Sequence, residues 1–214
     1  MKIAIIGGTG KLGTRLASLL SKKHEVYIGS RDPAKAEAAA KAAGVKAGES
    51  HSAAGICDAA ILTIPSEAIA NLGSFEKQLS GKLVISPIVP MKMEGGLFYY
   101  TGGEVSAAQQ VASALKSSRV SAALHTVPTR LLRKLEKLDI DVLIAADEKK
   151  TFEETAEIVG CLGPVRAIYA GPLSNASSLE RITPLLLNLA KVNGMKTPSV
   201  KFVDLVPGST VPPP

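Results

Sequence analysis

The sequence contains few of the residues that build several common functional sites. Phe, Tyr and Trp together make up 4% of its 214 residues, and Trp is absent. We therefore expect no aromatic platform on which the bases of single-stranded nucleic acid could stack. The three histidines lack the spacing of zinc ligands, so we expect no metal site either.

The two cysteines and the hydropathy pattern restrict the compartment. Cys57 and Cys161 are far apart in apolar surroundings, so we expect two buried free thiols rather than a disulfide or a metal pair. No apolar run approaches the ~18 residues of a membrane span, and the chain begins on a strand pattern rather than a signal peptide. The prediction is a cytoplasmic protein that binds neither membrane nor nucleic acid. The net charge of +6 suits a polyanionic cofactor, because Lys and Arg are spread along the chain.

The first twenty residues predict a dinucleotide-binding unit. The apolar run 3–6 is typical of a buried strand, and the leucines of the segment 12–20 recur at the spacing of one helix face. Between them, Gly8, Gly10 and Gly13 have the spacing of the dinucleotide fingerprint. We expect Gly8 to adopt a positive φ, Gly10 to admit a pyrophosphate, and Gly13 to let the helix pack closely on the strand. The N–H groups at the start of the helix would then bind phosphate.

Strand and helix patterns alternate as far as position 169. This alternation predicts an α/β fold: a Rossmann-like, doubly wound, mainly parallel sheet with a small C-terminal α/β portion. The segment 95–103 is expected to be an irregular loop, and residues 209–214 a disordered Pro-rich tail. The expected strands are 3–6, 25–29, 45–47, 58–64, 83–86, 120–124, 141–146 and 165–169, and the later helices are 34–43, 106–115, 131–137, 150–161 and a long one over 173–192 with a kink at Pro184.

The end of the second predicted strand favours NADP over NAD. In an NAD site an acidic residue near this strand end binds the ribose 2′-hydroxyl, but here the strand ends in Ser30 and Arg31. Arg31 can bind a phosphate through two parallel hydrogen bonds, and Ser30 can add a hydroxyl donor. Asp32 and Pro33 suit the N-cap and first position of a helix, which places Lys35 in a first turn where a cation is disfavoured unless phosphate lies nearby. The alternative is that Arg31 and Lys35 are solvated surface charges.

Seven stretches together resemble the F420-dependent NADP oxidoreductases. In chain order they are IAIIGGTGKLG, IGSRDPAKAE, AILTIP, LVISPIVP, SAALHTVPT, YAGPLSNA and ITPLLLNLAKVNGM, and they span nearly the whole chain. The resemblance implies reversible hydride transfer between C4 of the nicotinamide of NADP and C5 of the deazaflavin coenzyme F420. It also implies an NADP-binding Rossmann domain over residues 1–124. A C-terminal portion, 125–208, would complete the sheet, the deazaflavin site and the contacts of a homodimer that forms through the long C-terminal helix.

The resemblance assigns roles to individual residues. His125 and Val127 match positions beside the stacked rings, and Pro198 matches a position near the deazaflavin. His125 is the catalytic candidate, because it could hydrogen-bond a ring carbonyl or N1, where charge accumulates on reduction. The alternative is a strand-end histidine that the backbone satisfies. The matches are Thr9, Gly10, Lys11 and Leu12 for the pyrophosphate and ribose, Ser30, Arg31 and Lys35 for the 2′-phosphate, and Ser66, Ile69, Met91 and Thr129 for the nicotinamide, with Ile64, Pro65 and Pro90 at the adjoining strand ends.

Departures from the family pattern affect mainly the deazaflavin side. Ser66 stands where a bulky aromatic residue is expected, and Thr197 with Pro198 replaces a more flexible turn. Two other functions stay open at this point: an NADPH reductase that uses a flavin or another acceptor, and a non-catalytic NADP-binding redox sensor. No Tyr is followed by Lys four residues later, which excludes an ordinary short-chain dehydrogenase but not a sensor.

Overall fold

The computed structural model describes residues 1–130, 132 and 139–203, so the predicted helix 131–137, apart from Leu132, and the tail 209–214 lie outside the described residues. The strands are β1 (Lys2–Ile6), β2 (Glu25–Ser30), β3 (Lys46–Glu49), β4 (Ala59–Leu62), β5 (Leu83–Ser86), β6 (Met91–Glu94), β7 (Leu97–Tyr100), β8 (Arg119–Ala122), β9 (Ile140–Ala146) and β10 (Val165–Tyr169). The helices are α1 (Lys11–Leu20), α2 (Pro33–Ala43), α3 (Ser50–Ile56), α4 (Glu76–Leu79), α5 (Ala107–Ala114), α6 (Lys149–Gly160) and α7 (Ala176–Val192), with 3-10 helices at Ser66–Phe75 and Leu173–Asn175.

Eight strands form one sheet in the order β10-β9-β8-β5-β4-β1-β2-β3. The six strands from β3 to β8 pair in parallel, which confirms the Rossmann-like, mainly parallel fold. The strand–helix alternation did not reveal one antiparallel pair, in which β9 runs antiparallel to β8, with Ser121 opposite Ala146. The chain therefore enters β9 from the edge where β8 ends. The predicted domain boundary at 124/125 stays a prediction.

The core lies on both faces of the sheet because successive side chains of a strand point to opposite sides. In β1, Ile3 and Ile5 join a cluster with α1, α2 and α6, whereas Ala4 and Ile6 join a second cluster with α3, α5 and the start of α7. All four of these side chains are at most 3% exposed. Covering both faces fixes the helices around the sheet and leaves the strand ends available for a ligand.

The glycine turn after β1 forms as predicted, but the glycines have different roles from those expected. Gly7, not Gly8, has the positive φ, at 74°. Gly8 is required for a different reason, because a Cβ there would lie 2.8 Å from the backbone oxygen of Ile5. A Cβ on Gly13 would lie 2.5 Å from the Cα of Gly8, so the prediction of close helix–strand packing is confirmed.

Several local elements differ from the sequence-based expectation. The segment 95–103 is not irregular throughout, since β6 and β7 form an antiparallel hairpin whose turn residues Gly95 and Gly96 have positive φ. The last helix begins at Ala176 after a short 3-10 helix, three residues later than predicted. Helices α3 and α4 and the 3-10 helix Ser66–Phe75 were not predicted, because elements this short carry weak periodicity.

The two cysteines differ in burial. Cys57 and Cys161 are both free, but only Cys57 is buried, because Cys161 lies at the surface end of α6. In the described part of the chain, no helix is long and apolar enough to cross a membrane. The same residues contain no group of three or more His, Cys, Asp or Glu that could hold a metal ion.

Candidate functional site

Two adjoining clefts lie at the edge of the sheet where the parallel strands end. The large cleft has a volume of about 810 Å³ and is lined by the start of α1, the segments that follow β4, β5 and β8, and the C-terminal side of α7. The small cleft, of about 570 Å³, is lined by the end of β2, the start of α2 and the 3-10 helix Ser66–Phe75. Thr63, Ile64 and Pro65 line both clefts. This edge is where open α/β sheets bind their ligands.

The glycine turn separates the two clefts. Thr9 lines the small cleft, whereas Gly10 to Gly13 line the large one. Gly10 is the N-cap of α1, and a Cβ there would meet nothing within 4 Å, so its backbone is open to the cleft. The first turn of α1 contains no acidic residue. The free N–H groups of this turn are therefore suited to an anion.

The predicted phosphate-binding residues come together in the small cleft. Ser30, Arg31 and Lys35 line it with Thr9, and the guanidinium of Arg31 has no partner among the described residues. The Oγ of Ser30 accepts a hydrogen bond from the backbone N–H of Asp32 at 3.1 Å, which leaves its own proton free to donate.

Asp32 is the one acidic residue that lines the small cleft among the residues that the structure describes. Its Oδ1 accepts the backbone N–H of Lys35 at 3.2 Å, which confirms the predicted N-cap of α2. This backbone hydrogen bond, with a smaller contribution from the Lys35 ammonium, holds the pKa of Asp32 below its ordinary value. The carboxylate Oδ2 lies 3.4 Å from Nζ of Lys35, and both side chains are well exposed, so the ion pair is easily exchanged for a stronger anion.

The opposite wall of the small cleft was not foreseen from the sequence. It is formed by the 3-10 helix, through Ala68, Asn71, Leu72 and Phe75. The ring of His51 stacks on Phe75 with centroids 4.0 Å apart and planes 8° apart, which fixes the Phe75 ring. Phe75 was not predicted from the sequence, because its position depends on the 3-10 helix.

Most of the ring-side residues predicted from the sequence line the large cleft, but three of the predicted cofactor-binding residues line neither cleft. Ile69 is 6% exposed and packs in the core with Leu72, because the 3-10 helix repeats every three residues and turns both inward. Pro90 is buried and its carbonyl accepts the N–H of Thr101 at 3.0 Å. Gly8 is buried beneath the turn. The ring-side residues that do line the large cleft are Ile64, Pro65, Ser66, Met91, His125, Val127, Thr129 and Pro198.

His125 is a buried polar group that lines the large cleft. Its side chain is 8% exposed, and neither ring nitrogen has a hydrogen-bond partner among the described residues. Burial lowers the pKa of His125 to about 4, and the backbone of Ile88 opposes only part of this effect. The imidazole is therefore neutral at pH 7, with one donor and one acceptor available. Since the backbone of Ile88 acts on the same imidazole, the alternative of a backbone-satisfied strand-end histidine stays a prediction.

The loop that carries His125 is strained and firmly anchored. Leu124 has a φ of 71°, and no other non-glycine residue in the described part of the chain has a positive φ. The hydroxyl of Thr183 donates to the backbone carbonyl of His125 at 2.9 Å, and that of Ser199 donates to the carbonyl of Thr126 at 2.9 Å. Such a conformation persists only where its surroundings enforce it.

Helix α7 forms the wall opposite the strand ends. The cleft-lining residues on this helix follow helical spacing, and they are Thr183, Leu186, Leu187, Ala190 and Lys191. No Asp or Glu lines the large cleft in the part of the chain that the structure describes, whereas Lys11, Arg130, Lys191 and Lys196 do.

Comparison with known proteins identifies the family. The family model for coenzyme F420-dependent NADP oxidoreductases matches residues 2–90. An F420-dependent NADP reductase of Methanothermobacter thermautotrophicus is 37% identical over 96% of this chain and 96% of its own. Another, of Methanocaldococcus jannaschii, is 35% identical over 96% of this chain and 99% of its own. The chain belongs to the F420-dependent NADP reductase family.

The fold of this family is also found among solved structures. A crystal structure from Arthrobacter sp. FB24, assigned as an F420-dependent NADP reductase, matches with a TM-score of 0.85 at 22% identity, over 95% of this chain and 100% of that chain. This likeness confirms the fold alone. A model for the repressor domain of T-box transcription factors 2 and 3 also matches, over residues 52–133. That range contains β4, β5 and β8 of the parallel reductase sheet, so it supports no separate function.

Proposed function

We propose that this chain transfers a hydride reversibly between NADP(H) and coenzyme F420. The observation that carries the proposal is the continuity of the two clefts at the strand ends. The small cleft has the cations for an adenosine 2′-phosphate, and the large cleft has room for two rings beside His125. The relatives are F420-dependent NADP reductases along nearly their entire length. Like them, this chain is expected to act as an NADP-dependent oxidoreductase.

The glycine turn would hold the pyrophosphate of NADP. Gly10, Lys11 and Leu12 present backbone N–H groups at the start of α1, and the open side of Gly10 lets phosphate oxygens approach. Thr9 lies on the other side of the turn, in the small cleft. A dinucleotide crossing the turn would therefore place its adenosine half in the small cleft and its nicotinamide half in the large one.

The small cleft fits the adenosine 2′-phosphate better than a free ribose hydroxyl. Arg31 and Lys35 supply two cations, and the free proton of Ser30 supplies a third donor. The carboxylate of Asp32 is occupied by the N-terminus of α2, so it is poorly placed to accept hydrogen bonds from a ribose hydroxyl. The adenine ring would lie against the wall that contains Phe75.

The large cleft fits two flat rings held face to face. Its volume of about 810 Å³ lies toward the upper end of small-molecule sites. Rigid prolines at positions 65, 87 and 128 line it at the strand ends, and Leu186 and Leu187 line it from α7. An apolar slot of this kind keeps water away from the reacting carbons and holds the rings at a fixed distance.

The coenzymes supply the reactive carbons, C4 of the nicotinamide and C5 of the deazaflavin. The protein holds the two rings in position, excludes water from them and supplies one neutral imidazole. His125 can donate its N–H to a ring carbonyl or to N1, where negative charge grows as the ring is reduced. Its low pKa suits this role, because it is present as the neutral imidazole throughout the neutral pH range.

Mixing the protein with NADPH and each candidate acceptor tests the proposal. We expect the nicotinamide absorbance to fall with F420 and to remain nearly constant with FMN or FAD. Oxidation with a flavin alone would support the flavin reductase instead. NADPH binding without oxidation by any acceptor would support the redox sensor.

We also propose that the protein is a homodimer that forms through α7. Leu185, Leu189 and Val192 follow one helical stripe and are 56%, 38% and 69% exposed. A contiguous apolar stripe of this kind is typical of a protein–protein interface. Light scattering coupled to size exclusion should give twice the chain mass, and Leu189→Lys should lower it; a wild-type monomer would contradict this proposal. The cytoplasmic location stays a prediction.

A further inference from the structure

The β6–β7 hairpin forms a two-stranded sheet of its own, apart from the eight-stranded sheet. Every residue of 91–100 is exposed or half-buried, so the hairpin has little apolar burial to fix its position. A single hairpin is marginally stable by itself in water. Its position therefore depends on the element that packs against it. That position matters to the large cleft, because Met91 at the start of the hairpin lines it.

Asn188 of α7 pairs with β7 in the way that a neighbouring strand would. Its Oδ1 accepts the backbone N–H of Phe98 at 2.7 Å, and its Nδ2 donates to the carbonyl of the same residue at 2.8 Å. The N–H of Thr101 bonds the carbonyl of Pro90, and hydrogen-bonded pairs alternate along an antiparallel ladder. Phe98 therefore turns its N–H and carbonyl away from β6, and one side-chain amide satisfies both groups.

Two further side chains of α7 hold the ends of β7. The carboxylate of Glu180 accepts the hydroxyl of Tyr100 at 2.8 Å, and the ammonium group of Lys191 donates to the carbonyl of Gly96. The two contacts are eleven residues apart on α7, which is about 16 Å along a helix. They are four residues apart on β7, which is about 14 Å along a strand. The strand and the helix therefore run side by side in opposite directions along this contact.

Among these three side chains, Asn188 is the one that can be changed with the least effect elsewhere. Glu180 is fully buried and also accepts the N–H groups of Ala107 and Ala108 at 3.1 Å, at the start of α5. Lys191 also lines the large cleft. Among the described residues, the side-chain oxygen and nitrogen of Asn188 bond to the hairpin alone. A substitution of Asn188 therefore tests the contact between α7 and the hairpin by itself.

We propose that Asn188 is a positioning residue for the hydride transfer. It fixes β7 on α7, and the ladder between β7 and β6 then holds Met91, which lies opposite Tyr100, at the wall of the large cleft. Asn188 is not among the described residues that line this cleft, so it acts through the hairpin rather than by touching a coenzyme. The inference rests on the proposed function, because the position of Met91 affects catalysis only if a reacting ring lies against it.

Hydrogen exchange measured by NMR tests the structural part of this proposal without a coenzyme. We expect the backbone amide of Phe98 to exchange about tenfold faster in Asn188→Leu than in the wild type, because the hairpin loses its partner on α7. Asn193→Leu is the matched control, since the side chain of Asn193 bonds only to the carbonyl of Leu189 within its own helix. Equal exchange of Phe98 in the wild type and in Asn188→Leu would overturn the proposal.

Kinetics tests the catalytic part. We expect Asn188→Leu to lower kcat with F420 about threefold to tenfold and to leave the Kd for NADPH nearly unchanged, because a displaced wall no longer holds the rings in the reactive geometry. Asn193→Leu should retain the wild-type kcat. Met91→Ala removes the side chain that Asn188 positions, so the two changes together should lower kcat by less than the product of their separate effects.

The outcomes separate this proposal from the proposed function. Fully independent effects of Asn188→Leu and Met91→Ala on kcat would show that Asn188 does not act through the hairpin, and the proposal would fail while the proposed function stands. Failure of the wild type to transfer a hydride between NADPH and F420 would overturn the proposed function, and with it any catalytic role of Asn188. The hydrogen-exchange result would still report whether Asn188 holds the hairpin.

Discussion

The hydroxyl of Thr183 donates a hydrogen bond to the backbone carbonyl of His125 at 2.9 Å. This contact joins α7 to the loop after β8, whose residues are 58 positions away in the chain. It fixes the carbonyl of a residue that follows the strained Leu124, with its φ of 71°. We interpret Thr183 as a positioning residue: it acts on the ring site through the backbone that carries the imidazole.

Replacing Thr183 by Val should therefore lower turnover more than it lowers binding. We expect kcat with F420 to fall about threefold to tenfold, with little change in NADPH affinity, because loss of the bond lets the His125 loop relax. Thr183→Ser keeps the hydroxyl and should retain most of the rate. If Val and Ser variants lose the same activity, packing of the side chain rather than its hydrogen bond is responsible.

Arg31→Ala tests the choice between the two nicotinamide coenzymes. We expect the Kd for NADPH to rise about tenfold to a hundredfold and the Kd for NADH to change little, since only NADPH carries the 2′-phosphate. Fluorescence titration measures both values. Lys41→Ala, near the other end of α2, is the control for general loss of positive charge. Equal losses for the two coenzymes would show that Arg31 does not bind the extra phosphate.

His125→Ala should affect the chemical step. We expect turnover with F420 to fall about tenfold to a hundredfold and the affinity for NADPH to stay unchanged. The reason is that the reduced ring loses the neutral hydrogen-bond donor beside it. Single-turnover kinetics with stopped-flow mixing separates the hydride step from product release. An unchanged rate would assign His125 a structural role.

The low pKa of His125 also predicts how stability depends on pH. The folded-state pKa is about 4 and the ordinary value is 6.5, so between these values the unfolded chain binds more protons. Because the buried imidazole resists protonation, its neutral form stabilises the folded protein fully above pH 6.5. The free energy of unfolding then decreases as the pH falls from 6.5 toward 4, by up to about 3 kcal/mol. Denaturant unfolding of the wild type and His125→Asn at pH 7 and 4.5 measures it. Equal pH dependence of the two proteins would contradict the prediction, since all other groups cancel in the comparison.

The residues at the glycine turn and in the small cleft could largely be grouped from the sequence, because their grouping depends on short spacings. Gly10, Gly13 and the sequence from Ser30 to Lys35 lie within single strand–turn–helix units, and backbone geometry at such units follows from the residues themselves. The misassignment of the positive φ to Gly8 instead of Gly7 shows the limit of this approach. A pattern gives the turn, but the packing of neighbouring atoms determines which glycine takes which conformation.

The lining of the large cleft was predicted less completely, because it is assembled over long sequence distances. Ile69 was expected at the nicotinamide and lies in the core, since the unpredicted 3-10 helix turns it inward. The antiparallel direction of β9 could likewise not be predicted, because hydrophobic patterns do not encode strand direction. The walls contributed by the 3-10 helix and α7 could be seen only in three dimensions.

The doubly wound sheet, the dinucleotide turn and the family could be inferred before any coordinates, because they depend on periodicity and on motifs a few residues long. Other features became visible only in three dimensions: neither ring nitrogen of the buried His125 has a partner among the described residues, Thr183 fixes the His125 backbone, and Lys191 and Lys196 line a cleft in which no described residue is acidic. The physical reason is that burial, pKa and cleft charge are sums over neighbours in space, and most of those neighbours are distant in the chain.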